Sequence, residues 1–347
     1  MVINNIQIDQ CLPEHTKILT DLGLKDLNTL QLGDIVFSFD IEKDELVKNK
    51  VLKKEIFDYN GNMINLKSRN IDILMVPNHK ILHKNKRHSN NKRWIEDNWK
   101  YIEIKNLKKY DGIVLPITSI YKGSKSIGVD LASLVGWVIT EGHFYKNKAS
   151  NYQNIQISQS SVNINYVNEI RSILESLKIK FNENKIKYIN KYTNKRKEDS
   201  FMYIFYILKD WNKKIRELIP NKKPTFDLLD LVYEERLAMY KSMISGDGHR
   251  YKRYNKKIDY IKSAYFCQKD EKILDWFDML VLFLGYHPTR RGKLYVEIKE
   301  KKITGTKNNF HPKSIHYIGQ VWGIISEKPN FIAYQNGKYF IASNSNF

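Results

Sequence analysis

Two stretches of the chain are copies of one pattern: LASLVGWVITEGH (131–143) and LAMYKSMISGDGH (237–249). They match at Leu131/Leu237, Ala132/Ala238, Gly142/Gly248 and His143/His249, and each places an acid, Glu141 or Asp247, before its last glycine. A repeat constrains a fold strongly, because a recurring unit must bury its apolar face against its copy or its neighbours. The sequence after each copy corresponds as well. Alternating strand-like segments, IQISQ (155–159) and AYFCQ (264–268), precede stretches with helical apolar spacing, VNEIRSILESLKIKF (167–181) and LDWFDMLVLFLGYHP (274–288). The offset between copies stays between 106 and 109 residues. An αββα-like unit is therefore expected twice in the middle of the chain.

Basic, Tyr- and Asn-rich connectors fall at 145–153, 184–200, 250–262 and 289–309. Outside the repeat, residues 11 to about 125 read as short strands with turn signals, for example GDIVFSFD (33–40) and YNGNMINLK (59–67). That style resumes at 314–344, where Gln335-Asn336-Gly337-Lys338 has the form of a hairpin turn. The expected fold class is α+β and multi-domain: a β-rich domain interrupted by a duplicated α/β domain. The chain of 347 residues is long enough for two such domains.

Composition narrows the partners. A formal net charge of +20, with Lys and Arg interleaved with Tyr and Asn in KIKYINKYTNKRK (185–197) and HRYKRYNKKIDY (249–260), suits a polyanion, nucleic acid before membrane. Solvated surface lysine explains the same composition equally well. The most apolar stretch, 129–140, is interrupted by Asp130 and shorter than the roughly 18 residues of a membrane span. The N-terminus lacks a basic start and apolar core, so a cytoplasmic protein is expected. Two cysteines, Cys11 and Cys267, exclude a disulfide framework.

The stretch LASLVGWVITEG is apolar on nearly every face, which predicts a buried helix, and its small residues Ala132, Ser133 and Gly136 allow a close neighbour. An acid is unfavourable at the negative end of a helix dipole unless a cation shares the site. Two such helices side by side bring Glu141 and Asp247 together near exposed carbonyls, an oxygen-rich pocket suited to Mg²⁺. Beside a basic surface, such a pocket suits metal-assisted phosphodiester hydrolysis. A solvated helix end with a C-cap glycine explains one copy; two matched copies favour the metal.

The two segments resemble the paired motifs of the LAGLIDADG homing endonucleases in their single-chain, two-repeat form. IRELIPNKKPTFDLLDLVYEERLAMYKSMISGDG (215–248) is similar to the linker and second motif of members found inside inteins. The resemblance spans 128–309 and implies a pseudo-twofold αββαββα domain, repeated, whose strands lie in the DNA major groove. It implies Glu141 and Asp247 as metal ligands for Mg²⁺ and Gln159 and Gln268 as supporting residues. A basic residue near the scissile phosphate is also usual in that family, with Lys187 and Lys293 as candidates. The implied substrate is double-stranded DNA with a long, asymmetric target site.

CLPEHTKILTDLG (11–23) resembles the first block of an intein, a self-splicing domain of the Hint type. The resemblance implies that Cys11 attacks the carbonyl before it to form a thioester. MVPNHKIL (75–82) resembles the block whose usual pattern is Thr-x-x-His. His79 takes the histidine position and Asn78 is a supporting candidate, while Val76 replaces the usual threonine. NGKYFIASNS (336–345) resembles the closing blocks, implying that Asn344 cyclises and that Ser345 is the acceptor. Ser343 stands where a penultimate histidine is usual, and Gly323, in VWGIISEKPNF (321–331), where Asp or Cys often stands. Ser343 and His316 are candidate substitutes for the missing proton donor.

The expected organisation is thus flank 1–10, Hint domain 11–127 and 310–344, endonuclease 128–309, and flank 345–347. The flanks belong to a host protein, the covalent partner, and the chain is expected to act as a monomer. Two other readings remain: a free-standing endonuclease with a vestigial Hint domain, and a maturase-like nucleic-acid-binding relative without cleavage.

Overall fold

A helix that is apolar on every side must be covered on every side, and residues 131–140 are buried throughout in the computed structural model of the chain. The structure describes residues 10–344 except 69, 89–93, 97, 108–112, 147–152, 188–200, 253–261 and 307–310. Most of the basic connectors therefore lie outside the described residues, as does Ser345. The architecture is mixed α/β with several antiparallel sheets. It divides into two compact units, Lys122–Leu280, and Met1–Tyr121 with Val281–Phe347. Among the described residues no helix is long and apolar enough to cross a membrane.

The Lys122–Leu280 unit is built on two helices, α1 (Val129–Glu141) and, after α2 (Ile164–Ser176) and α3 (Lys209–Leu218), α4 (Tyr233–Asp247). Small residues let the α1 and α4 backbones touch. The Ser133 and Ser242 hydroxyls are 2.6 Å apart, and a Cβ at Gly136 would come within 2.6 Å of the Met239 carbonyl oxygen. At the start of the pair the buried Glu235 carboxylate accepts the N–H groups of Ile127 and Gly128, both at 2.9 Å. A carboxylate is favourable there, where the α1 dipole is positive. Residue pairs 128/235, 136/242 and 140/246 run in the same direction, so the helices are parallel and their terminal acids share one end.

The first copy is complete as αββαββα: α1, strands Gly142–Lys146 and Gln153–Ser160, α2, strands Phe181–Lys187 and Phe201–Ile207, α3. Its strands form one antiparallel sheet. The second copy runs α4, Gly248–Lys252, Lys262–Cys267, α5 (Glu271–Phe283), His287–Arg290, Tyr295–Lys299. No seventh element follows among the described residues. Instead Ile303–Thr306 is a strand paired with Ile113–Pro116, its β-branched residues favouring extension over a third helix.

The second helix of each copy sits earlier than apolar spacing predicts, at 164–176 and 271–283 rather than 167–181 and 274–288. Both ends have the same cause. After α2, Lys178 is left-handed at φ 53°, and the Ile179 N–H reaches the Leu174 carbonyl at 2.9 Å. After α5, Gly285 is left-handed at φ 74°, and the Tyr286 N–H reaches the Val281 carbonyl at 3.0 Å. These are Schellman ends, and the apolar residues beyond them pass to strands or turns. Gly285 is a legible stop signal; Lys178 is not.

The other unit is a large antiparallel sheet. The strands Glu45–Lys67 and His311–Ser326 pair along a ribbon whose register slips between Ile325 and Ser326. The hairpin Asn330–Gln335/Lys338–Ser343 turns through Asn336 and Gly337, left-handed at φ 49° and 76°, the conformation a two-residue Asn-Gly loop favours. Leu30, Val36, Leu66, Met75, Ile324 and Phe331 are among its buried core.

Two histidines of this unit, His79 and His287, are wholly buried, and burial pushes each down to about 3. Lysines near His287, Lys299 first, add to that effect. Both are neutral in the folded chain at pH 7 and protonate near 6.5 when unfolded. The stability they contribute is full above about pH 6.5 and is lost as pH falls towards 3. Unfolding free energy measured by denaturant titration across this window should fall by up to ~1.4 kcal/mol per pH unit for each histidine. In His287→Met one histidine's share of that slope disappears, whatever the substitution does to stability at pH 7.

Candidate functional site

The helix–strand junctions after α1 and α4 form the first cluster. Gly142 and Gly248 are extended, at φ −80° and −123°, rather than left-handed C-caps, so each chain passes from acid directly into strand. At Gly248 a Cβ would lie 2.7 Å from the Ile244 carbonyl oxygen and 2.8 Å from that of Tyr265, which leaves room only for glycine. Glu141 and Asp247 are held half-buried at these corners. Burial, and then the charge of Asp247, raises Glu141 from 4.5 to about 7. Burial raises Asp247 too, against the pull of Lys222 and a hydrogen bond from Gln268 Nε2 at 3.1 Å. Two like charges in a desolvated site require a cation.

Lys222 supplies one. Its ammonium donates to the Thr140 carbonyl at 3.1 Å and acts on both carboxylates, and burial lowers its own pKa. Asn221 and Lys222 are both left-handed, at φ 52° and 64°. Such strain in non-glycine residues persists where surrounding structure demands the conformation. The sequence signal was partial: Pro220-Asn221 marks a turn, but which of the adjacent lysines faces the acids depends on those two dihedrals. Lys187 ends an exposed strand and Lys293 lies in an exposed turn.

The glutamines occupy matched places. Gln159 Oε1 accepts from the N–H of Ser160 at 2.9 Å, and Gln268 Oε1 from that of Lys269 at 2.8 Å. Gln159 is in the second strand of its copy, Gln268 one residue past the end of its own.

Among the described residues no group of three or more His, Cys, Asp or Glu side chains gathers to hold a metal. The donors here are two carboxylates and helix-end carbonyls, all oxygen where a cation is needed, with the Gln268 nitrogen turned to Asp247. They fit a hard divalent ion that keeps several waters or takes substrate oxygens. In Lys222→Met the two acids lose their internal counter-charge. The melting temperature at pH 8 should drop by several degrees and recover in millimolar Mg²⁺ more than that of the unsubstituted chain, as differential scanning fluorimetry reads directly.

On the first copy's sheet the residues alternate. Ile155, Ile157 and Phe205 are buried, while His143, Tyr145, Gln156, Ser158, Tyr206, Asn182 and Asn184 share the opposite face by register. In the second copy His249, Ser263 and Tyr265 take the corresponding side, with Ala264 and Phe266 buried between them. Uncharged donors and acceptors with aromatic rings on a sheet face can read base edges, where asparagine and glutamine match adenine.

A second cluster lies in the other unit, where residues from three distant parts of the chain meet. Cys11 is buried with Met63, Val76 and Val321. Its carbonyl accepts from the Val76 N–H at 3.3 Å, so Val76 contributes packing and backbone where a threonine would add a hydroxyl. The His79 ring lies against the Gln10–Cys11 backbone, which raises its pKa against the larger effect of burial, although neither ring nitrogen reaches hydrogen-bonding geometry. Asn78 Oδ1 accepts from Lys105 Nζ at 2.6 Å.

Asn344 is wholly buried. Its Nδ2 donates to the carbonyls of Ser326, 2.7 Å, and Lys328, 3.1 Å, and its N–H to that of Pro329, 2.8 Å. These partners come from the corner after the ribbon slips, whereas Gly323 stands earlier in the ribbon, opposite Glu55. His316 is an exposed ribbon residue opposite Asn62. The Ser343 hydroxyl is engaged by Gln10 Oε1 and the Lys80 carbonyl. Sequence reasoning missed Gln10, Ser326 and Lys328, polar residues with no motif to mark them.

No protein-family model and no curated protein matches the chain. Among solved structures it is similar to mesophilic variants of the homing endonuclease I-DmoI, at 13% identity and a TM-score of 0.33, over 49% of this chain and 87% of that one. It is similar to the homing endonuclease I-WcaI bound to its DNA recognition sequence, at 13% identity and a TM-score of 0.35, over 51% and 78%. I-SmaMI bound to an uncleaved DNA target with calcium gives 12% identity and a TM-score of 0.30, over 50% and 80%.

Proposed function

We propose that the chain is an intein that carries a LAGLIDADG-type, site-specific DNA endonuclease. The observation that carries the nuclease half is the meeting of Glu141 and Asp247, matched in two copies, over one strained lysine. A bound divalent cation, Mg²⁺ in the first instance, would polarise the phosphodiester and lower the pKa of an attacking water. Glu141 and Asp247 would hold it, Gln268 orients Asp247, and Lys222 keeps the two acids compatible. Polar sheet faces and the net charge of +20 support duplex DNA as substrate, with affinity falling steeply with salt. Both acids come from one chain, so a cytoplasmic monomer is sufficient.

The splicing half rests on the convergence of residues 10–11, 78–80 and 343–344. Cys11 Sγ attacks the Gln10 carbonyl carbon, the Gln10–Cys11 C–N bond breaks, and the thiol proton ends on the Cys11 amine. Ser345 Oγ then takes the acyl group from sulfur, its proton passing to the Cys11 thiolate, and the ester shifts to the Ser345 nitrogen once that amine is released. Asn344 Nδ2 attacks its own carbonyl carbon, the bond to Ser345 breaks, and the amine leaves with a proton. With its pKa near 3, His79 serves the first step as a neutral N–H donor to the scissile amide, not as a standing imidazolium.

A second reading, an endonuclease whose flanking unit no longer splices, is favoured by one feature: the Ser343 hydroxyl is committed to Gln10 and Lys80. Placing residues 10–345, with Gln10 and Ser345 kept, between two foreign proteins separates the two. Ligated flanks with an excised fragment, read by mass, establish splicing; intact precursor leaves the endonuclease alone.

A further inference from the structure

The residue before Cys11 belongs, on the splicing reading, to the host protein, and nothing in that chemistry requires its side chain. In this chain the side chain is built in. Gln10 is 3% exposed, as buried as the core residue Phe340, and its backbone is left-handed at φ 62°, a conformation a glutamine adopts only when its surroundings hold it there. Each half of its carboxamide is used. Nε2 donates to the Asn78 carbonyl at 3.1 Å, while Oε1 accepts from the Lys80 N–H at 2.7 Å and from the Ser343 hydroxyl. Ser343 in turn lies 2.7 Å from the Lys80 carbonyl, and the neighbouring Ala342 pairs with Ile81.

We propose that Gln10 is a positioning residue that joins the two junctions and makes the protein selective for glutamine before Cys11. The inference rests on the splicing reading. Its carboxamide clasps the backbone on both sides of His79, which fixes the Gln10–Cys11 amide against the imidazole. The same oxygen holds Ser343, one residue before Asn344, so the C-terminal junction is ordered by a side chain of the N-terminal flank. A shorter residue takes the carboxamide away from both the Lys80 N–H and the Asn78 carbonyl. A glutamate offers Asn78 an oxygen where a donor is required. When the acyl group leaves for Ser345, Gln10 leaves with it and Ser343 loses one of its two oxygen partners. In this way departure of the first junction is registered at the second.

The test uses the full chain between two carrier proteins, with Gln10→Met, which keeps length and removes every hydrogen bond, Ser343→Ala, and the pair. Thiol-induced cleavage at Cys11 should slow at least tenfold in Gln10→Met. With Cys11→Ala added, so that no thioester forms, Gln10→Met should still change the rate of C-terminal release, and Ser343→Ala should add little to it. A residue that merely fills space before Cys11 would not move that second rate. Wild-type cleavage by Gln10→Met at the first junction, or independent effects of the two substitutions at the second, overturns the proposal. If the unsubstituted chain cleaves at neither junction, the splicing reading itself fails. The melting temperatures of the four proteins then decide the tie alone: non-additive shifts uphold it and additive shifts refute it.

Discussion

Glu141→Gln and Asp247→Asn are each expected to cut the rate of Mg²⁺-dependent cleavage of duplex DNA by roughly 10²-fold or more, while DNA binding measured by fluorescence anisotropy persists. Both substitutions keep shape and remove charge where it cannot be replaced: no third acidic or histidine side chain gathers there among the described residues. They are not equivalent. Asp247 accepts from Gln268 Nε2, so an asparagine there keeps its amide oxygen on that donor and presents a nitrogen where the other carboxylate oxygen stood. Glu141 lies near 7 and is partly protonated at neutral pH without metal. Metal binding must therefore displace a proton, and affinity measured by isothermal titration should rise from pH 6 to pH 8 in the unsubstituted chain. Glu141→Gln should lose most of that pH dependence. Cleavage at full rate by both variants would remove the metal-ligand assignment.

The second large effect is at Asn344. Replacing it by alanine should abolish release of the C-terminal flank while leaving the Cys11 thioester able to form, so that thiol still frees the N-terminal flank. Cys11→Ala should do the reverse. Asn344→Ala also leaves the carbonyls of Ser326 and Lys328 buried without a donor, at a cost of about 1–3 kcal/mol. A melting curve must therefore accompany the mass measurement, to separate lost chemistry from lost folding. Release of the C-terminal flank by folded Asn344→Ala would show that cyclisation is the wrong mechanism.

Much of this was legible before any coordinates. The duplicated helix with its small residues announced a close pair, and Ser133 against Ser242 is that pair. The Asn336-Gly337 turn was readable because its two left-handed residues are a chemical preference of the dipeptide. Helix ends were less so. Gly285 and Lys178 perform the same stop, but a lysine carries no such preference, and only the carbonyls it leaves to be capped force it left-handed. The lysine facing the acids is not legible in the sequence for a related reason. Lys187 and Lys293 are as basic as Lys222, and nothing local distinguishes them.

Period, composition and motif spacing thus determined the duplication, the β-rich flanks, and the acids at the ends of the buried helices. These are properties of local order, because apolar spacing and turn chemistry act over a few residues. Tertiary structure alone decided the rest: that a strained linker delivers Lys222 beside those acids, and that Gln10 clasps His79's neighbours and Ser343. Each depends on where distant backbone groups need a partner once water is excluded, and that demand exists only after the chain has folded.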